Sequence, residues 1–202
     1  MIDAVLLPPL RALLDVPARG LLGLGVRADQ VTLTGFGIGL LALPAVWSGW
    51  FAVALGLILA NRVADGLDGV MARQVGVTDR GAFLDIALDF FFYATVPLGF
   101  ALYDPANALS AAVLICAFIG TSSSFLAFAV IAAKRGMAAQ AFPSKGIYYL
   151  GGLTEGAETI TVFTLMCLFP AWFIPLAYGF AAACFLTTVL RWLQGWRAFS
   201  DL

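Results

Sequence analysis

From Val31 to Leu193 the chain is a series of apolar runs, interrupted only by short segments such as "SGW", "YDPAN" and "PAW". An α-helix needs about 20 apolar residues to cross the hydrocarbon of a bilayer. The runs reach that length, so the sequence predicts an all-α integral membrane protein with six transmembrane helices. The expected spans are Val31 to about Trp47, Phe51 to about Met71, Gly81 to just before "YDPAN", and about Leu109 to Ala133. Two more run from about Gly146 to Phe169, and from beyond "PAW" to about Leu193. The composition leaves little room for another domain. The chain is 62% hydrophobic and 11% charged, with mean hydropathy +0.97, against about 45–50% apolar and 25% charged in soluble domains.

The basic residues give an orientation. Arg11, Arg19 and Arg27 precede the first span, Arg73 and Arg80 flank the loop after the second, and Lys134, Arg135 and Lys145 flank the loop after the fourth. Arg191 and Arg197 close the sixth, while the loops on the other side contain no Lys or Arg. The positive-inside rule then puts both termini in the cytoplasm. There is no basic tract for nucleic acid.

Residues 1–28 do not follow a signal-peptide pattern, since Pro8, Pro9, Asp15 and Pro17 interrupt the apolar run. From Pro9 onward, Leu10, Leu13, Leu14 and Leu21 alternate with Arg11, Asp15 and Arg19. This predicts an amphipathic helix lying in the cytoplasmic interface, kinked at Pro17. The expected organisation is therefore 1–28 as an interfacial helix and 29–202 as one six-span domain.

Histidine is absent, which excludes a histidine general base, a Ser-His-Asp triad and any histidine metal ligand. Cys116, Cys167 and Cys184 stand singly in apolar runs and read as small core hydrophobes.

Against this background the stretch "ADGLDGVMARQVGVTDRGAFLDIALDF" is anomalous, because Asp65, Asp68, Asp85 and Asp89 fall within or at the edge of membrane helices. On the second span Asp65, Asp68, Gly69, Ala72 and Arg73 share one broad face. On the third, Gly81, Asp85 and Asp89 form an i, i+4, i+8 stripe. A short connection makes the two helices antiparallel, so the faces can meet near the cytoplasmic surface. Four facing carboxylates repel, and they must take up either protons or cations. With oxygen ligands only, Mg²⁺, Mn²⁺ or Ca²⁺ is expected rather than zinc. Gly69, Ala72 and Gly81 leave room for a nucleotide or pyrophosphate to reach the helix backbone. Ionisable groups inside membrane segments are functional by default.

The pattern Asp65-x2-Asp68-Gly69-x2-Ala72-Arg73-x7-Gly81-x3-Asp85-x3-Asp89 resembles the signature of the CDP-alcohol phosphotransferases. The segments "SSSFLAFAVIAAKRG" and "YYLGGLTEGAETI" resemble a small bacterial inner-membrane branch of that family. The resemblance implies transfer of a substituted phosphate, usually phosphatidyl, from a CDP-linked lipid such as CDP-diacylglycerol to an acceptor hydroxyl, with release of CMP. It implies two divalent metal ions, Mg²⁺ or Mn²⁺, on Asp65, Asp68 and Asp85, with Asp89 completing the site and acting as general base. It further implies a nucleotide site of Asp68, Gly69, Ala72, Arg73 and Gly81, with Thr32 nearby, and a homodimer with its active site facing the cytoplasm. The family usually has Pro-Asn where this chain has Ala28-Asp29.

The acceptor alcohol is not named by the sequence. Branches that use phosphorylated acceptors carry an arginine after an aromatic in span four, where this chain reads Phe125-Leu126-Ala127-Phe128. Lys145 and Arg191 are candidates for an acceptor phosphate, or ordinary cytoplasmic anchors. Glu155 and Glu158, expected two to three turns into span five, either line an acceptor pocket or brace helices against Arg191 or Arg62. Ser122, Ser123 and Ser124 either line the same pocket or bond backbone carbonyls. The rival function is an intramembrane cation- or proton-coupled transporter.

Overall fold

The computed structural model describes residues 3–137 and 152–200, with side chains from Ala12 onward. Every regular element among them is helical: α1 (Asp3–Gly23), α2 (Ala28–Leu40), α3 (Ala42–Trp47), α4 (Phe51–Val75), α5 (Asp79–Tyr103), α6 (Ala108–Lys134), α7 (Gly156–Leu168) and α8 (Phe173–Phe199). Single 3₁₀ turns at Pro105–Asn107 and Pro170–Trp172 join α5 to α6 and α7 to α8.

Four stretches among the described residues are long and apolar enough to cross a membrane: Ala28–Trp47, Asp79–Tyr103, Pro105–Lys134 and Pro170–Phe199. The first is α2 and α3 in succession, broken at Leu41. Helix α4 has 25 residues, about 37 Å at 1.5 Å per residue. It falls short on composition, because Arg62, Asp65, Asp68 and Arg73 lie along it. Helix α7 has only 13 residues. Of the expected fifth span, from about Gly146 to Phe169, the described part is helical from Gly156 to Leu168, and residues 146–151 lie outside the described ones. Helix α1 begins at Asp3 rather than near Pro9 and runs unbroken through Pro17.

Local chemistry sets the ends of the two helices that carry the aspartates. Helix α4 stops at Gly76, whose φ of +104° is open to glycine and strained for other residues. Two residues later the Thr78 side chain accepts the backbone N–H of Gly81 at 3.1 Å and caps α5. The resulting connection is Gly76–Thr78, so α4 and α5 run antiparallel with little freedom between them.

Small residues let helices approach. A Cβ built on Gly35 of α2 would lie 2.5 Å from the Ala64 Cβ of α4, so the two backbones are in close contact there. The main core is rich in aromatic side chains. Phe100 stacks on Phe173 at 4.4 Å and on Phe51 at 5.6 Å, and Phe92, Phe100, Phe163 and Phe173 are fully buried. A smaller cluster joins Leu14 and Ala18 of α1 to Val70 and Met71 of α4. Large apolar side chains such as Phe91, Ile119, Val130 and Trp192 are exposed on the outside, as expected of surfaces that meet lipid rather than water.

Candidate active site

The aspartates of α4 and α5 are brought together by the short Gly76–Thr78 connection. Asp65, Asp68 and Asp85 each offer a carboxylate oxygen, and these oxygens lie within 4.8 Å of one another. Asp68 is buried, at 5% exposure, and the other two are half-buried. Thr32 of α2 reaches across to donate to Asp68 at 2.5 Å. The donor set is oxygen from two rigid helices, with no sulfur or nitrogen ligand, and it fits a hard divalent cation.

Asp89, one turn further along α5, stands apart from this group. Its two oxygens are held by Arg62, from Nη2 at 2.6 Å and Nη1 at 3.2 Å. Arg62 is fixed in turn. It donates to Asn61 Oδ1 from Nε at 2.9 Å and from Nη2 at 2.6 Å, and to the Tyr93 hydroxyl at 3.2 Å. Its guanidinium also lies 5.1 Å from the Phe92 ring centroid and 5.4 Å from that of Tyr93. Asn61, buried, donates to the Gly35 carbonyl at 2.9 Å. Arg62 is further 3.6 Å from Asp65, within ion-pair reach.

The four aspartates, Arg62 and Tyr93 share one cavity of about 760 Å³. Asp65, Asp68, Asp85, Asp89, Thr32, Gly69, Ala72, Arg73 and Gly81 all line it, as do Glu155 and Arg191. The volume is in the range of drug-sized ligand sites, about 300–1,000 Å³. On one wall the Arg73 guanidinium lies over Gly69, with Nη1 3.4 Å from where a Cβ would be. Gly81 sits between the Thr78 hydroxyl and the Asp29 carboxylate. Asp29, which stands where the family usually has asparagine, forms an ion pair with Arg80 that ties α2 to the start of α5.

The opposite wall differs from the sequence expectation. Glu155 does not lie turns deep in a helix; it is the residue that opens α7. Its Oε1 accepts the Gly152 N–H at 3.1 Å, and Glu158 accepts the Glu155 N–H at 3.1 Å. The expected depth failed because the helix starts at Gly156, after a bend at Leu153–Thr154. Glu158 therefore serves the helix start, while Glu155 does so and faces the cavity. Arg191 of α8 is buried, donates to the Thr121 carbonyl at 3.0 Å and lies 5.6 Å from the Phe125 ring centroid. Ser123 and Ser124 bond the carbonyls of Gly120 and Thr121, whereas Ser122 lines the cavity. Lys145 lies outside the described residues.

Sequence reasoning gave Asn61 no role and offered Arg62 as a bracing partner for Glu155 or Glu158, whereas the structure pairs it with Asp89 and Asp65. The signal was present: an arginine inside a membrane helix needs a partner, and Asp89 is the partner that antiparallel packing brings level with it.

Comparison with known proteins bears on this arrangement. The family model described as CDP-alcohol phosphatidyltransferase matches residues 26–196. The inner membrane protein YnjF of Escherichia coli (strain K12) is 51% identical over 203 residues, covering 100% of this chain and 98% of its own length. The phosphatidylinositol phosphate synthase of Cutibacterium acnes is 36% identical over 115 residues, 54% of this chain and 56% of that protein. Among solved structures, a phosphatidylinositol phosphate synthase of Mycobacterium tuberculosis with CDP-DAG bound has TM-score 0.75 at 22% identity, covering 94% of this chain and 98% of that one. The synthase in complex with manganese and citrate has TM-score 0.74 at 24% identity, covering 94% and 93%. The structural likeness is one of fold, and the sequence match extends over most of the chain. This chain belongs to the CDP-alcohol phosphatidyltransferase family.

Proposed function

We propose that the protein transfers a phosphatidyl group from CDP-diacylglycerol, or a similar substituted phosphate from another CDP-alcohol, to an acceptor hydroxyl in phospholipid biosynthesis. The observation that carries this reading is the convergence of Asp65, Asp68 and Asp85, with oxygens within 4.8 Å, in a cavity also lined by Gly69, Ala72 and Gly81. Two divalent ions, Mg²⁺ or Mn²⁺, would be held by these carboxylates, with Asp89 completing the site, and would neutralise the pyrophosphate and the departing phosphate. Gly69, Ala72 and Gly81 admit the CDP moiety, Arg73 meets its phosphates, and Thr32 keeps Asp68 in place. Asp89 is the general base. In the transfer the acceptor oxygen bonds to the phosphorus next to the lipid, and the P–O bond to CMP breaks. CMP leaves with that electron pair, and the acceptor proton passes to Asp89.

Arg191, Glu155 and Ser122 form the acceptor end of the cavity in this reading. Arg191 suits an anionic substituent and Glu155 suits hydroxyl or amino groups. The membrane arrangement belongs to the same proposal: six spans completed by α4 and the chain around α7, cytoplasmic termini, a bacterial inner-membrane location and a cytoplasm-facing site. Helix α1 would lie in the interface. In support, Leu13 and Val16 are exposed at 72% and 75% while Leu14 and Ala18 pack on α4. A homodimer follows from the family resemblance.

The test is CMP release by the purified protein with CDP-diacylglycerol, Mg²⁺ or Mn²⁺, and a panel of free and phosphorylated polyols. Metal-dependent CMP release that requires one member of the panel supports the reading and identifies the acceptor class. Absence of CMP release with every acceptor, from protein that is folded and binds metal, contradicts it.

A further inference from the structure

We propose that the acceptor is an uncharged polyol rather than a phosphorylated one, and that Glu155 is the residue that makes the distinction. The inference rests on the transferase reading above.

Two opposite charges share the acceptor end of the cavity, and both abut Gly152. Glu155 Oε1 accepts the Gly152 N–H at 3.1 Å. A Cβ built on Gly152 would lie 3.0 Å from Arg191 Nη2, so the guanidinium lies against the same residue. Both groups are held in place. Arg191 is buried, donates to the Thr121 carbonyl at 3.0 Å and lies over the Phe125 ring. The Glu155 carboxylate also takes the backbone N–H of Glu158 at the start of α7. Just before it, buried Thr154 donates to Thr187 at 3.1 Å and pins the bend to α8.

Arg191 alone would suit a phosphate. From Phe118 to Arg191, however, the described lining holds one cation, Arg191, and one anion, Glu155. Arg62 and Arg80 line the cavity elsewhere, paired with Asp89 and Asp29. The acceptor end therefore has no net charge among the described residues. A phosphate monoester carries about −1.5 to −2 at neutral pH, and here it would meet the Glu155 carboxylate as a like charge. A cationic amine would pair with Glu155 and meet Arg191 in the same way.

What this wall does suit is hydroxyl groups. A carboxylate has about four lone-pair sites, and the bonds from Gly152 and Glu158 leave others to accept from O–H. Ser122 adds a hydroxyl. Thr121, Ser123 and Ser124 turn theirs back onto carbonyls of α6, at 3.0, 3.3 and 3.0 Å. Ser122 lines the cavity and makes no such bond among the described residues, so it is placed to donate and to accept.

The test is steady-state CMP release by full-length protein in detergent with CDP-diacylglycerol and Mn²⁺. The acceptors are glycerol and its monophosphate, myo-inositol and its monophosphate, and ethanolamine. Wild type is expected to favour a free polyol over its phosphate ester by about 100-fold or more in kcat/KM, the scale of a like-charge clash in a binding site. Glu155→Gln keeps a side-chain oxygen for the backbone N–H groups and removes the charge. It is expected to narrow that ratio by about tenfold, whereas a purely structural role would lower both acceptors alike and leave the ratio unchanged. Ser122→Lys adds a cation to the same wall and leaves the start of α7 intact. It is expected to narrow the ratio too, and so decides the role of charge even if Glu155→Gln does not fold. Wild-type use of a phosphate ester as good as that of its free polyol would overturn the inference, as would a preference for ethanolamine. An unchanged ratio in either folded variant would overturn it as well. Absence of CMP release with every acceptor would bring down the transferase reading, and this inference with it.

Discussion

Thr32 donates its hydroxyl to Asp68 at 2.5 Å, bridging α2 to the middle of α4. Asp68 is 5% exposed, so little water is available to replace that bond. A hydrogen bond to a charged group is worth about 1.5–3 kcal/mol. Thr32→Val is expected to lower the melting temperature of the metal-free protein by several degrees, while Thr32→Ser restores most of it. A valine variant that melts with wild type would show that the bridge does not hold Asp68.

Asp89→Asn is expected to cut turnover by about 10²–10⁴, the usual worth of a general base. The loss should exceed any change in Mn²⁺ or CDP binding, because Asp89 is the last carboxylate of the Gly81, Asp85 and Asp89 stripe on α5. Steady-state CMP release read beside CDP binding separates the two effects. Retention of more than a tenth of wild-type turnover would remove Asp89 from the chemistry.

The close approach of α2 and α4 makes a packing prediction. Any side chain at Gly35 meets the Ala64 Cβ at 2.5 Å. Overpacking of this kind costs about 1–3 kcal/mol. Gly35→Ala should destabilise the protein in thermal melts, and adding Ala64→Gly should recover much of the loss. Additive losses in the double variant would mean that the helices are not in register at this pair.

The distribution of Lys and Arg predicts the sidedness of the loops. In a background without Cys116, Cys167 and Cys184, a cysteine at the exposed Ser48 should react with impermeant reagent from outside the cell. One at Val77, beside the aspartates, should react only after the inner face is opened. Reaction of both from one side would refute the six-span orientation.

How far the sequence reaches depends on the range of the interactions. The aspartate faces of α4 and α5 were legible because helical spacing alone fixes them, and the Gly76–Thr78 connection leaves one way to fold back. The start of α7 was not legible. "YYLGGLTEGAETI" is apolar enough to pass as a span, and only the cap made by Glu155 and Glu158 marks where the helix begins. The Arg62–Asp89 pair is separated by 27 residues in sequence. Helical spacing puts the four aspartates on facing surfaces, but the pairing of Asp89 with Arg62 appears only when the helices are packed. Asp29 is a similar case, since its Arg80 partner comes from the far side of α4.

The central claim, a carboxylate metal site that serves a CDP-linked donor, is tested most directly by thermal stability in detergent. The conditions to compare are EDTA, Mn²⁺, CDP in EDTA, and CDP with Mn²⁺. A ligand at 100 times its dissociation constant stabilises by about 2.7 kcal/mol. The account predicts that Mn²⁺ raises the melting temperature, that CDP raises it further only when metal is present, and that Asp65→Asn or Asp85→Asn removes both shifts. A cation transporter would respond to the metal alone. Equal stabilisation by CDP in EDTA, or none under any condition, would contradict the account.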